Sequence, residues 1–213
     1  YNLEEMVDIA RLCDFKIKMI DINSETGVMD IEKIKSNLSN KTAAILFTNM
    51  FNDFSNLSEL AKLTKKNEIL LIEDNAIYLG NYSDMDFTKK YAGSFGDVSL
   101  FSFGIMKNVS AFYGGALLTS NYEIYSFANK KKNIFNNFPI KLYLKNFILF
   151  IFLKFLLSKI VYNYFFFYIL KFAHEKNIKS LLNLIYPAFK FKPKQKIPTE
   201  YYSKISNYSI KLI

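Results

Sequence analysis

The 213-residue chain has no tryptophan, one cysteine (Cys13), one histidine (His174), four prolines and seven glycines. A single cysteine excludes an internal disulfide framework and a multi-cysteine metal site. Its expected place is that of a small buried apolar side chain. Methionine does not open the chain, and no charged, apolar and small-residue signal pattern follows Tyr1. The expectation is a cytoplasmic protein whose true N-terminus lies upstream. Carboxylates are also missing from a long stretch, with none between Glu123 and Glu175.

That gap divides the charge. Residues 1–123 hold 12 Lys+Arg against 17 Asp+Glu, a net of −5, and residues 124–213 hold 16 Lys against 2 Glu, a net of +14. Two environments are implied, the basic one suited to an anionic partner. Hydrophobic residues make up 51% of the chain, enough for a substantial core.

The first half alternates strand and helix patterns. Phe15–Ile22 alternates apolar and charged residues, as a half-buried strand does. Asp30 is a cap for a helix over residues 31–38, with Ile31, Ile34 and Leu38 on one face. Residues 43–48 (AAILFT) read as a strand covered on both sides. Asn56 opens a second helix, and residues 68–72 (EILLI) form a buried strand ending in Glu73-Asp74. Residues 98–103 and 115–119 supply two more strands. The βαβα order predicts an α/β fold with a mostly parallel sheet and helices on its faces. Function in such folds gathers at the carboxyl ends of the strands, where Asp74 and Ser102 fall.

Three phrases carry chemistry: IEDNAIYLG (72–80), GSFGDVSLFSFGIMK (93–107) and YGGALLTSN (113–121). In this order and spacing, with ARLCDFKIKMIDINSETGVMDIEKIKSNLSNKTAAILF before them, they resemble the DegT/StrS-type sugar aminotransferases. Residues 201–213 (YYSKISNYSIKLI) resemble a later family segment. The resemblance implies the large domain of fold type I pyridoxal-phosphate enzymes, here incomplete. Residues 1–123 would be part of that domain, 124–200 a helical, hydrophobic and basic insertion, and 201–213 the start of the returning segment. The family also has an earlier phosphate-gripping loop at a helix N-terminus, so these residues alone are expected to be inactive.

The same resemblance assigns roles. Lys107 matches the lysine that holds pyridoxal 5'-phosphate as a Schiff base, and Asp74 the carboxylate that keeps the ring nitrogen protonated. Ser102 matches a residue whose hydroxyl contacts the cofactor phosphate. Without the resemblance, each has a plainer reading: a solvated lysine, an exposed strand-end carboxylate or N-cap, and a small residue tolerated at a strand end. Glu73 is expected to be structural or solvent-facing, and Gly114 and Gly115 to serve a close backbone approach or a turn. Relatives with histidine in place of the lysine carry out dehydration, so Lys107 implies transamination. The implied activity moves an amino group, from glutamate, to a nucleotide-linked keto-sugar for surface polysaccharide or glycolipid synthesis, in a homodimer. Two positions depart from the family: Ile77 stands where Gln or His is usual, and Tyr113 where Glu is common. They motivate an alternative, a catalytically inactive membrane-associated relative of the same fold.

From Ile140 to Tyr186 there is no Gly or Pro, with Pro139 and Pro187 at either end. The longest charge-free run at its centre is Ile160–Leu170, too short to span a bilayer, which needs about 20 apolar residues. On one continuous helix, Lys141, Lys145, Lys159 and Asn163 would share a stripe, with Lys154 opposite. The favoured reading places residues 140–186 on an anionic membrane surface, the inner face, which makes the protein cytoplasmic and peripheral. Packing on protein comes second and spanning third. Nucleic acid is not expected, because the aromatics form one dense apolar block. His174 is expected at the surface or in a cap.

Overall fold

Asp30 shows how local chemistry starts an element here. Its Oδ1 accepts hydrogen bonds from the Glu32 and Lys33 amides, 3.0 and 3.2 Å, and so caps α2 (Ile31–Asn37). The structure, a computed structural model, describes residues 4–50, 56–80, 82–85, 88–105, 107–179, 195–197 and 199–212. The chain divides into two compact units, one of Tyr1–Phe138 with Lys196–Ile213 and the other of Pro139–Gln195.

The first unit begins with α1 (Glu4–Leu12) and α2, followed by β1 (Ala44–Thr48), α3 (Leu57–Lys66) and β2 (Leu70–Asp74). A hairpin of β3 (Tyr82–Met85) and β4 (Thr88–Tyr91) comes next, then β5 (Val98–Ser102), β6 (Gly115–Leu118) and α4 (Tyr122–Asn133). The main sheet has the order β1-β2-β5-β6. Its first three strands are parallel, and β6 runs antiparallel to β5. The sheet is therefore mixed, α/β in class, with an antiparallel edge.

Register fixes the two faces, because successive side chains in a strand alternate. Phe47, Glu73 and Ser99 share one face, since Phe47 pairs with Glu73 and Glu73 with Ser99. The core lies on this side, where Ile31 and Ile34 of α2 and Leu57 and Leu60 of α3 pack with Phe47 and Leu71. The other face carries Thr48, Asp74 and Leu100, which also pair directly. Its Leu46, Ile72 and Leu100 are only half-buried. Of the helices, α2 and α3 pack on the first face.

Several expectations are corrected. Phe15–Ile22 is not a strand: only Ile22 pairs, in an isolated bridge to Met29, and Phe15 and Met19 are exposed. Its alternation provides an apolar side, but no neighbouring strand among the described residues offers a ladder. The strand expected at 68–72 begins two residues later, because Glu68 takes a left-handed turn (φ 56°) after α3. This places Glu73 and Asp74 inside β2. Cys13 is exposed rather than buried, in the turn after α1 where Asp14 has φ 63°. The Asn56 side chain makes no cap bond to α3 and instead donates to the Met29 carbonyl, 3.2 Å.

The second unit holds α5 (Ile140–Leu156), α6 (Lys159–Val161), a π-helical turn (Tyr162–Phe166) and α7 (Phe167–Glu175). The chain leaves helical geometry at Ser158, whose ψ is 144°. The lysine stripe expected of one continuous helix is therefore cut between Lys145 and Lys159. His174 is exposed in the last turn of α7. Residues 180–194, with Tyr186 and Pro187, lie outside the described residues. No helix among the described residues is long and apolar enough to cross a membrane.

Back in the first unit, a 3-10 turn (Thr199–Tyr202) leads to α8 (Asn207–Ile210), capped by Ser206. Asn136 and Ser203 form a parallel bridge, with Asn136 N–H donating to the Tyr202 carbonyl and Lys204 N–H to that of Asn136.

Candidate active site

Two adjacent carboxylates at the end of β2 point to opposite faces. Glu73 is fully buried on the core side. Its Oε1 accepts from the amides of Phe95 (2.8 Å) and Gly96 (2.6 Å), and its Oε2 from that of Gly93 (2.9 Å). A charge taken out of water requires such compensation. The enclosing turn depends on Gly93, whose φ is +91° and where a Cβ would sit 2.6 Å from the Phe101 ring. Glu73 is structural, and the solvent-facing alternative is ruled out.

Asp74 is 6% exposed on the opposite face. Its Oδ1 accepts from the Ala76 amide at 3.0 Å, and Thr48 Oγ1 lies 3.5 Å from its Oδ2. Residues 75–80 form bends rather than a helix, so Asp74 is neither an exposed carboxylate nor a helix cap. Because Asp74 pairs with Leu100, Ser102 two residues later lies on the same face and at the same carboxyl end.

The chain then leaves β5 in a loop that carries Lys107 and returns into β6. Phe103 closes the base of the loop, its N–H donating to the Gly114 carbonyl and its own carbonyl accepting from Ala111, both at 2.9 Å. Ser102 and Lys107 approach each other around Gly104. A Cβ there would lie 3.7 Å from Ser102 Oγ and 4.0 Å from Lys107 Cγ. The Lys107 amide donates to the Gly104 carbonyl, and its side chain is half-buried. Among the described residues no ion pair joins Lys107 to Asp74.

The segment after residue 200 supports this loop from beneath. Ser209 Oγ donates to the Ala111 carbonyl at 2.7 Å. Ile205 packs onto Gly114, which has φ +113° and where a Cβ would meet Ile205 Cδ1 at 2.7 Å. Tyr113 stacks on Phe138, with ring centroids 4.3 Å apart. A groove of about 700 Å³ opens beside the loop, lined in part by Ser102, Gly104, Tyr113, Tyr201 and Lys204.

Polar capacity is left over at this end of the sheet. The Asp74 carboxylate has no cationic partner among the described residues. Ser110 Oγ, in the lysine loop, and Asn49 Oδ1, just beyond β1, are buried without a partner among them. Asn49 belongs to the Glu73 side, its Nδ2 donating to Asn75 Oδ1 at 3.2 Å; buried polar groups are normally paired, so the Ser110 hydroxyl in the lysine loop suits a polar group arriving from outside. A carboxylate, hydroxyls and an amine at one strand end fit the ring nitrogen, phosphate and aldehyde of pyridoxal phosphate. Sequence reading missed Ser110, Asn49 and Ser209, which carry no pattern beyond the Ser206–Ser209 spacing of a capped turn.

The sequence pattern of the DegT/DnrJ/EryC1/StrS aminotransferase family matches residues 6–141. A GDP-4-keto-6-deoxy-D-mannose 3-dehydratase of Escherichia coli O55:H7 is 33% identical over 110 residues, 52% of this chain and 27% of the relative. A GDP-perosamine synthase of Escherichia coli O157:H7 is 30% identical over 106 residues, 50% of this chain and 28% of the relative. The chain therefore spans less than a third of the length of these curated relatives. An aminotransferase from Streptoalloteichus hindustanus superposes with a TM-score of 0.50 at 23% identity, over 54% of this chain and 30% of the other. At that identity the likeness establishes the fold.

Proposed function

Because the chain belongs to the DegT/DnrJ/EryC1/StrS aminotransferase family, we propose that the protein is a pyridoxal-phosphate-dependent sugar aminotransferase. Its acceptor is a nucleotide-linked keto-sugar and its donor glutamate. The observation that carries this reading is the meeting of Asp74, Ser102 and the Lys107 loop at the carboxyl end of β2 and β5. Relatives named for dehydration and for amination both match, and lysine rather than histidine at position 107 favours amination.

When bound, pyridoxal phosphate supplies an electron sink and carries the amino group between donor and acceptor. The chain's own residues hold and steer that chemistry. Asp74 keeps the proton on the ring nitrogen, its low exposure strengthening the interaction. Ser102 Oγ would donate to the phosphate. Lys107 Nζ would hold the cofactor at its aldehyde and, as a free amine, would serve as the base for the proton on the donor's nitrogen-bearing carbon. The loop base pinned by Phe103 limits how far that amine strays.

In this reading residues 1–123 belong to the cofactor-binding domain, 124–200 are an insertion and 201–213 resume the family fold. The protein works as a homodimer in the cytoplasm, peripheral on the inner membrane face through residues 140–186, and its product enters surface polysaccharide or glycolipid synthesis. Full-length protein reconstituted with pyridoxal phosphate is expected to show a visible absorption band that Lys107→Ala removes, and to release 2-oxoglutarate from glutamate when given the keto-sugar. Absence of the band in the wild type would sink the reading. A second reading, an inactive relative, draws on Ile77, an apolar half-buried side chain three residues after Asp74. It predicts the band without turnover.

A further inference from the structure

The second unit presents many exposed apolar side chains. On α5, a helix apolar around most of its circumference, the exposed residues Ile140, Leu144, Phe147, Ile148, Ile151, Phe152 and Phe155 recur at intervals of three and four, with Leu149 exposed off that line. That spacing makes one stripe along the helix. Its opposite side, Leu142, Tyr143, Asn146, Phe150, Leu153 and Leu156, is half-buried. The stripe is far from covered: Ile148 is 65% exposed and Phe155 60%. After the break at Ser158, the run Lys159–Glu175 repeats the arrangement with Ile160, Tyr164, Phe165, Tyr168, Ile169 and Phe172, all exposed.

Charge identifies what covers these stripes. Lys145 and Lys154 flank the α5 stripe on its two sides, and Lys141 and Lys159 stand near its ends. Between Glu123 and Glu175 there is no carboxylate in the sequence to neutralise them. A second copy of this unit would set lysines against lysines. A bilayer rich in anionic headgroups offers the complementary charge, and an acyl boundary for the stripes. Lys154 already shows the needed posture, its ammonium 5.5 Å from the centroid of the Phe150 ring while the side chain remains exposed. Each helical run is about 25 Å long, short of the roughly 30 Å hydrocarbon core.

We infer that Ile140–Leu156 and Lys159–Glu175 lie in the plane of an anionic bilayer surface, exposed stripes in the headgroup–acyl boundary and flanking lysines on the lipid phosphates. The inference rests on the peripheral-membrane part of the proposed function and not on its reaction. Both runs act as interfacial helices, with the bend at Ser158 between them.

Flotation of the full-length protein with vesicles tests this. It floats with vesicles containing phosphatidylglycerol and not with phosphatidylcholine alone, and binding weakens as ionic strength rises above ~0.15 M. Replacing the exposed Lys141, Lys145, Lys154 and Lys159 by Gln lowers affinity about fivefold per lysine. These 213 residues hold no tryptophan, and Phe152→Trp, read as the difference from the unsubstituted protein, adds emission that moves to the blue on vesicle addition. Equal binding to both lipids, binding to neither, or an unmoved reporter overturns the inference. So does a reporter already shielded without lipid in a dimer, which would make the stripe a contact between copies. Protein that floats but forms no cofactor band refutes the reaction alone; protein with the band that does not float refutes this inference alone.

Discussion

The Ser209 hydroxyl donates a 2.7 Å hydrogen bond to the carbonyl of Ala111, 98 residues earlier in the chain, and Ser209 is 1% exposed. This single bond ties α8 to the loop that carries Lys107. Ser209→Ala leaves a buried carbonyl without its donor, at a cost of about 1–3 kcal/mol. Denaturant unfolding measures that loss. Amide exchange in residues 107–111 is expected to quicken in the cofactor-free protein, and Ser209→Thr to restore protection. Unchanged exchange would show that the bond does not hold the loop.

Glu73 is the hub of the turn at residues 93–96. Glu73→Ala strands three backbone amides and is expected to destabilise the domain by roughly 3 kcal/mol or more. Glu73→Gln keeps the shape but turns an amide donor toward donors, so it should recover only part. Urea midpoints of the three proteins give the ranking.

Asp74→Asn preserves volume and removes the charge. Stability should change little, because Oδ1 still accepts from Ala76. The rate of amino transfer is expected to fall on the order of a hundredfold or more, the scale of losing one electrostatic contact to the reacting system. Near-normal turnover would remove Asp74 from the proposed site.

Lys35 bridges Glu32 and Glu59 at 2.7 and 2.8 Å, linking α2 to α3. The hydrogen bond to Glu32, then that to Glu59, raises its pKa well above the ordinary lysine value. A raised folded-state value gives stability that is complete below the unfolded pKa of about 10.4 and is lost as pH rises through the folded one. The thermal midpoints of wild type and Lys35→Met should therefore differ at neutral pH and converge in strong alkali. The exposed position keeps the difference small.

The parts of this fold that the sequence made legible are those governed by local signals. Asp30 announces a cap, the run Ala43–Thr48 a strand, and the three phrases the family. What it left hidden depends on partners distant in sequence. The alternation of Phe15–Ile22 looks like a strand, yet pairing needs a neighbour that no local pattern supplies. Glu73 and Asp74 are chemically alike, and only register shows that one faces the core and the other the site. Ser158 is an ordinary residue, and nothing about it forecasts a break between two helical runs.

The bridge between Asn136 and Ser203 has a further meaning. The chain leaves on one strand of that bridge and returns on the other, so whatever lies between is closed at its root. Closing a longer excursion costs little, about 0.6 kcal/mol for each doubling of its length. The stretch between can lengthen, shrink or change its chemistry without disturbing the lysine loop. A fold hinged in this way accepts an appendage as a graft.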